Sequence, residues 1–79
     1  MLYAVAILCF IGGDGCAVFS DRAGPVRGME ACAERVAAIR PYAEHTAALM
    51  SRLSGGPVAV SLSCVPPAAL GSLAGDREI

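Results

Sequence analysis

The chain alternates between apolar stretches and short polar or glycine-rich breaks, and this pattern predicts three strands and one helix. Residues 2–11 (LYAVAILCFI) are aliphatic or aromatic throughout, which is typical of a buried strand. The glycine-rich segment 12–15 predicts a turn, and residues 16–20 (CAVFS) predict a second, shorter strand, so the two strands form a β-hairpin. Residues 58–65 (VAVSLSCV) alternate between apolar and small side chains and predict the last strand.

Between the hairpin and the last strand, apolar residues recur every three or four positions from residue 29 to residue 53, which predicts an amphipathic helix. Residues 54–57 (SGGP) form a strong stop signal. Pro41 lies inside this segment and removes one backbone hydrogen bond. Because the apolar spacing keeps its phase across Pro41, we expect one kinked helix. The alternative is two helices, with Pro41 at the start of the second.

The order of these elements predicts an α+β fold of the type ββαβ. Three strands form an antiparallel or mixed sheet, and the helix covers one face of it. Residues 1–65 make up this single domain, and residues 66–79 form an extended C-terminal tail with one helical turn over residues 68–73. A chain of 79 residues buries only a small core, so we expect covalent crosslinks to supply part of its stability.

The four cysteines lie at the ends of the predicted elements. Cys9 and Cys16 share one end of the domain, and Cys32 and Cys64 share the other. The topology therefore predicts the disulfides Cys9–Cys16 and Cys32–Cys64, because the other pairings exceed the ~7 Å limit between bridged α-carbons. A zinc site is an alternative, although zinc ligands normally come in pairs two to four residues apart. Separate free thiols are the third possibility.

The charge pattern narrows the classes of function. The six basic residues are all arginines, they are scattered, and the net charge is -1, so we expect no nucleic-acid partner and no membrane partner. His45 and Glu44 fall on the polar side of the helix, and segment 12–15 lacks the lysine and the following helix of a phosphate-binding loop. We therefore predict no catalytic residue, no cofactor and no metal, and a protein that is not an enzyme.

Two opposing observations bear on the cellular compartment of the protein. The apolar N-terminal segment lacks the basic residues and the cleavage site of a signal peptide, and no uncharged stretch is both long and unbroken enough to cross a bilayer. Disulfides nevertheless persist in oxidising surroundings. We expect a virion or another extracellular or oxidising environment, with no signal peptide or transmembrane segment evident.

The first strand is apolar on both faces, although one helix covers only one face of a three-stranded sheet. An apolar strip is therefore left over, and such patches usually mark interaction sites. The side chains that we expect to contact a partner are Leu2, Leu8 and Phe10 in the first strand, and Leu70, Leu73 and Ile79 in the tail. The alternative is that the tail folds back and covers the strip itself.

The arrangement of the cysteines also carries a resemblance. An apolar strand ends in Cys9, the next strand opens with Cys16, a Gly-Pro turn precedes a helix containing CAER (residues 32–35), and Cys64 closes the last strand. This frame resembles small four-cysteine proteins of alphaproteobacteria and their phages. The resemblance covers residues 1–65, implies a compact domain with disulfides, and brings no functional residue with it.

These observations lead to one main hypothesis about function. We expect a structural or interaction protein, an accessory (cement, decoration or minor structural) component of a phage or phage-like particle. Its partners are then the protein subunits of a larger assembly or other copies of itself. The alternative is a small secreted or periplasmic binding or inhibitory domain, and a third possibility is a cytosolic thiol or metal regulator.

Overall fold

The computed structural model describes residues 1–13, 15–72 and 77–78. Its strands are β1 (Tyr3–Phe10), β2 (Cys16–Ser20), β3 (Val58–Val65) and β4 (Arg77–Glu78), and its helices are α1 (Met29–Ser54) and α2 (Pro67–Ser72). The ββαβ order over the first 65 residues is the one predicted from the sequence. The α+β fold is therefore confirmed.

The sheet is built around β1. The strand order is β3-β1-β2-β4, and β1 pairs antiparallel with both β2 and β3. β2 and β3 therefore run in the same direction on either side of β1. The short strand β4 adds a parallel pair to the outer edge of β2, where Phe19 lies beside Arg77 and Ser20 beside Glu78.

Glycines shape the turn between β1 and β2. Gly12 has φ 74° and Gly15 has φ 87°, the left-handed region that glycine enters without a steric penalty. A strand, and not a helix, follows this turn. The segment is therefore a hairpin turn, as its sequence predicted.

Helix α1 is one continuous element of 26 residues that runs through Pro41. Pro41 and Ala37 are both exposed, so the Ala37 carbonyl that loses its helical donor lies next to solvent. The helix ends at Gly55, which has φ 77° and donates its N–H to the Ser51 carbonyl at 2.9 Å. The prediction of a single helix is confirmed, and the alternative of two helices is wrong.

The core lies between α1 and the even-numbered residues of β1. Ala6 and Leu8 are fully buried and pack against Ala43 and Ala47 of the helix. The small side chains at three of these four positions let the helix approach the sheet closely. α1 lies above β1 and β3, so the side of β2 that faces the helix layer is only partly covered.

The odd-numbered residues of β1 lie on the opposite face of the sheet. Val5 is fully buried there, and Val18 of β2 is 7% exposed. β4 lies at the edge of the sheet opposite β3. The sequence leaves open whether a partner or the tail covers this face, and residues 73–76 and 79 of the tail lie outside the described residues. Ile11 remains 59% exposed.

Candidate functional site

Two disulfides close the domain at opposite ends. Cys9 on β1 lies directly opposite Cys16 on β2 and is bonded to it, with 4.0 Å between the α-carbons. Cys32 in the first turn of α1 is bonded to Cys64 on β3, with 6.2 Å between the α-carbons. Both predicted pairings are confirmed. Because all four cysteines are bonded, the alternatives of free thiols and of a cysteine zinc site are wrong.

The two disulfides are compatible with an oxidising environment. Neither helix in the described part of the chain combines the length and the apolar character needed to cross a bilayer. Among the residues that the structure describes, no three His, Cys, Asp or Glu side chains come close enough to hold a metal ion.

A buried carboxylate lies where β2 ends. Asp21 is 1% exposed, and its backbone N–H donates to the Ala4 carbonyl at 2.9 Å. Arg35 of α1 donates from Nε to Oδ2 at 2.6 Å and from Nη2 to Oδ1 at 3.0 Å. Oδ1 also accepts the N–H of Ala23 at 3.1 Å. This two-point contact fixes the helix against the end of the hairpin.

The ion pair also sets the ionisation of its members. The hydrogen bond from Arg35 lowers the pKa of Asp21, and the Ala23 N–H and the Arg35 charge act in the same direction, against the effect of burial. The same hydrogen bond raises the pKa of Arg35. Both groups are therefore charged at neutral pH, and each satisfies the other. This arrangement supports the fold.

Two open pockets follow one another along α1 on the side of β2. Phe10, Phe19 and Met50 line the first, and Arg22 and Tyr42 line the second, next to the buried ion pair. Thr46 of the first pocket and Tyr42 of the second are one helical turn apart, so we describe the two pockets as one groove. The groove exists because α1 lies above β1 and β3 and covers β2 only partly on this side. We call it the α1–β2 groove.

Tyr42, which lines this groove, is the first of three apolar side chains that are exposed on the same side of α1. Tyr42 is 67% exposed, Leu49 43% and Leu53 90%. Their spacings of seven and four residues place them on one side of α1, beside the buried stripe and not within it. Leu53 and Met29, the last and first of the periodic apolar positions, are both exposed and do not belong to the core. The aligned set of Tyr42, Leu49 and Leu53 is the clearest candidate for an interaction surface.

The residues that the sequence predicted to contact a partner do not belong to this exposed line on α1. Leu2, Leu8 and Phe10 all lie on the α1 side of the sheet. Leu8 is fully buried beneath the helix, so its assignment to an uncovered surface is wrong. Leu2 is half-buried, and its N–H and carbonyl both bond to Val26 at 2.8 Å. Phe10 is half-buried and lines the α1–β2 groove.

The three tail residues predicted to contact a partner lie wholly or partly outside the described structure. Leu70 belongs to α2, but its side chain is outside the described part of the structure, and Leu73 and Ile79 lie outside the described residues altogether. Glu44 and His45 are exposed on α1, which is what the sequence predicted for the polar side of the helix.

Sequence reasoning missed Asp21, Arg35, Tyr42 and Leu49. Arg35 follows Cys32 by one helical turn and therefore lies close to the buried side of α1. Asp21 is the first residue after a strand. Tyr42 and Leu49 are seven residues apart and lie on the same side of the buried stripe. A helical projection of residues 29–54 would therefore have revealed an exposed apolar line.

Comparison with known proteins adds no assignment. No family model matches the sequence, and neither the curated proteins nor the solved structures contain a significant match. The resemblance to four-cysteine proteins therefore stays an expectation from the sequence.

Proposed function

We propose that this protein is a non-enzymatic interaction module that binds an apolar segment of a partner protein in the α1–β2 groove. One observation carries this proposal: Tyr42, Leu49 and Leu53 are exposed in a line along α1, although the core beneath the helix is complete without them. Burial of one such side chain contributes about 1.5–3 kcal/mol. A partner that covers all three therefore gains substantial affinity.

The partner segment that fits best is an amphipathic helix with an acidic residue near one end. The exposed side chains repeat at helical spacing along α1, and helices that dock in grooves use anchors with the same repeat. Arg22 is exposed at one end of the groove, and it has no ion-pair partner among the described residues. Arg35 is already bound to Asp21. Arg22 is therefore the cation that would bind a carboxylate of the partner.

The assembly that we propose is a phage or phage-like particle, in which this protein is an accessory component attached to neighbouring subunits. The two disulfides support this proposal, because a particle outside the cell meets oxidising conditions. The same disulfides favour the second candidate, a secreted or periplasmic binding domain. Both candidates use the α1–β2 groove, and the identity of the bound protein distinguishes them.

Site-specific photocrosslinking tests the proposal in the producing cells. A photoreactive residue at Leu53 is expected to capture one protein, and the same residue at Glu34, exposed on the outward side of α1, is the matched control. The captured protein is then purified and titrated. Leu49→Ser/Leu53→Ser should weaken its binding about tenfold or more, because two apolar anchors are lost. A particle subunit supports the first candidate, and an exported protein supports the second.

Two results would contradict the proposal. Equal capture at positions 53 and 34 would show that the exposed line has no preferred partner. Unchanged binding by Leu49→Ser/Leu53→Ser would show that the partner binds elsewhere. A dye that fluoresces on apolar surfaces gives an independent measurement, since the wild-type protein should enhance its emission more than the double variant does.

A further inference from the structure

We propose that the outer edge of β3 is the interface of a symmetric homodimer, in which the β3 strands of two copies pair antiparallel and form one continuous sheet. In the described part of the chain, β3 lies at one end of the strand order and pairs on its β1 side alone. Every second residue of this eight-residue strand therefore directs its N–H and carbonyl groups outward. Such an edge is a template for pairing with another strand.

The composition of β3 leaves this edge open. Natural sheets protect their edges with charged residues, prolines or bulges. β3 has the sequence VAVSLSCV, without a charge or a proline. Its pairing with β1 runs through all eight residues without interruption, so no bulge bends the edge away. Pro57 and Pro66 lie directly outside the two ends of the strand, so pairing would extend over the strand and stop there.

A twofold axis perpendicular to the sheet at the centre of β3 would also bring two copies of α1 together. α1 lies above β1 and β3, so its axis would be about 5 Å from the twofold axis, given a strand spacing of about 4.8 Å. The two helix axes would then be about 10 Å apart, which is a normal packing distance for α-helices. In the same dimer, β3 would therefore pair with its copy and α1 would pack against its copy.

The side of α1 that would meet its copy carries small residues and two opposite charges. Ala47, Ala48 and Ser51 line the open space between α1 and β3, together with Glu44. Arg40 precedes Glu44 by one helical turn and lies on the same side of α1. Both are exposed, and among the described residues neither makes an ion pair.

The symmetry would place Arg40 of each copy beside Glu44 of the other. Leu62, at the centre of β3, pairs with Ala6, and both lie in the core cluster that contains Ala43 of the helix. The midpoint between Arg40 and Glu44 is within one residue of Ala43, so the twofold axis passes near this midpoint. An antiparallel helix pair about that axis forms two reciprocal ion pairs. This self-complementarity favours a second copy over an unrelated strand.

The expected interface is small. An eight-residue strand is about 26 Å long, and the helix and sheet layers together are about 20 Å deep, so each copy contributes about 500 Å². This area is at the low end for specific interfaces. The dimer should therefore dissociate in the micromolar range, and the experiment has to cover that range.

Sedimentation equilibrium of the oxidised protein from about 1 µM to about 1 mM tests the interface. The wild-type mass is expected to rise from 8.0 kDa to twice that value. Arg40→Glu should raise the dissociation constant about tenfold or more, because like charges then face each other across the twofold axis. The double exchange Arg40→Glu/Glu44→Arg should restore dimerisation. Arg52→Glu makes the same charge change on the outward side of α1 and should leave the dissociation constant unchanged.

A second variant tests the strand layer. Ser61 is exposed in the middle of β3, so Ser61→Lys places a charge at the edge strand and leaves the core unchanged. This variant should be folded by circular dichroism and monomeric by sedimentation equilibrium. A wild-type monomer at all concentrations, or a dimer that survives both Arg40→Glu and Ser61→Lys, would overturn the proposal. Leu49→Ser/Leu53→Ser affects the other side of α1. Loss of the dimer in that variant would assign dimerisation to the α1–β2 groove and would also overturn the proposal.

Discussion

Asp21 and Arg35 connect two parts of the molecule that no disulfide connects. One disulfide lies within the β1–β2 hairpin, and the other joins α1 to β3. The carboxylate at the end of β2 instead meets a guanidinium on α1, with 2.6 Å between Nε and Oδ2. The ion pair therefore holds the hairpin against the helix at the point where the chain passes from one to the other.

Removal of either member of the ion pair should destabilise the fold. Asp21→Asn is expected to lower the free energy of unfolding by about 1–3 kcal/mol, because Arg35 loses its anionic acceptor. Arg35→Met leaves a buried carboxylate without a cation, and it should shift the urea midpoint further than Asp21→Asn does. Urea denaturation at neutral pH measures both effects. Arg22→Met, at an exposed neighbouring position, is the control, and a wild-type midpoint for Arg35→Met would refute the expectation.

The stability should also depend on pH through Asp21. Its pKa is lowered in the folded protein from an ordinary value of 3.8, so the unfolded chain takes up the proton first as the pH falls. The contribution of the ion pair is therefore complete above about pH 5 and is lost as the pH falls through the folded pKa. The difference in unfolding free energy between wild type and Asp21→Asn should shrink in acid. An equal difference at pH 7 and at about pH 2.5 would contradict this assignment.

The two disulfides should contribute unequally to stability. The Cys32–Cys64 loop spans 32 residues and the Cys9–Cys16 loop spans 7, so the loop-entropy model gives about 3.7 and about 2.4 kcal/mol. Cys32→Ala/Cys64→Ala should therefore melt at a lower temperature than Cys9→Ala/Cys16→Ala. Thermal unfolding followed by circular dichroism compares them. The opposite order would contradict the ranking by loop length, since the burial of Cys32 acts in the same direction as its longer loop.

Truncation to alanine should destabilise the protein at Leu8 and leave its stability almost unchanged at Leu53. Leu8 is fully buried under α1, so Leu8→Ala is expected to cost about 2–5 kcal/mol of unfolding free energy. Leu53 is 90% exposed, so Leu53→Ala should change stability by less than about 0.5 kcal/mol. The same variant should reduce the enhancement of an apolar-surface dye. Similar stability losses in both variants would show that Leu53 belongs to the core.

The elements and the disulfides could be predicted because each depends on a local pattern. The alternation of residues 58–65, the helical repeat of residues 29–53 and the glycines at both turns are visible in the sequence. Once the order of the elements is known, the cysteines fall at two ends of the domain, and this placement gives both pairings.

The face of the sheet that α1 covers could not be predicted, because β1 is apolar on both sides. A register shift of one residue exchanges the two faces of a strand. The pairing of Ala6 with Leu62 decides that the even-numbered residues of β1 face the helix, and this is why Leu8 belongs to the core. The ion pair was hidden for a similar reason, since the sequence does not show which of six arginines meets Asp21.

The two disulfide loops follow one another along the chain and do not overlap. Between Ser20 and Met29 the peptide backbone is therefore the sole covalent link between the hairpin and the rest of the domain. Arg22 and Arg27 are both exposed in this link, so trypsin cleavage there would leave two oxidised fragments that separate in denaturant without reductant. β1 and β3 pair over eight residues, so the fragments should reassociate after dilution, and the protein can serve as a split pair made in two pieces.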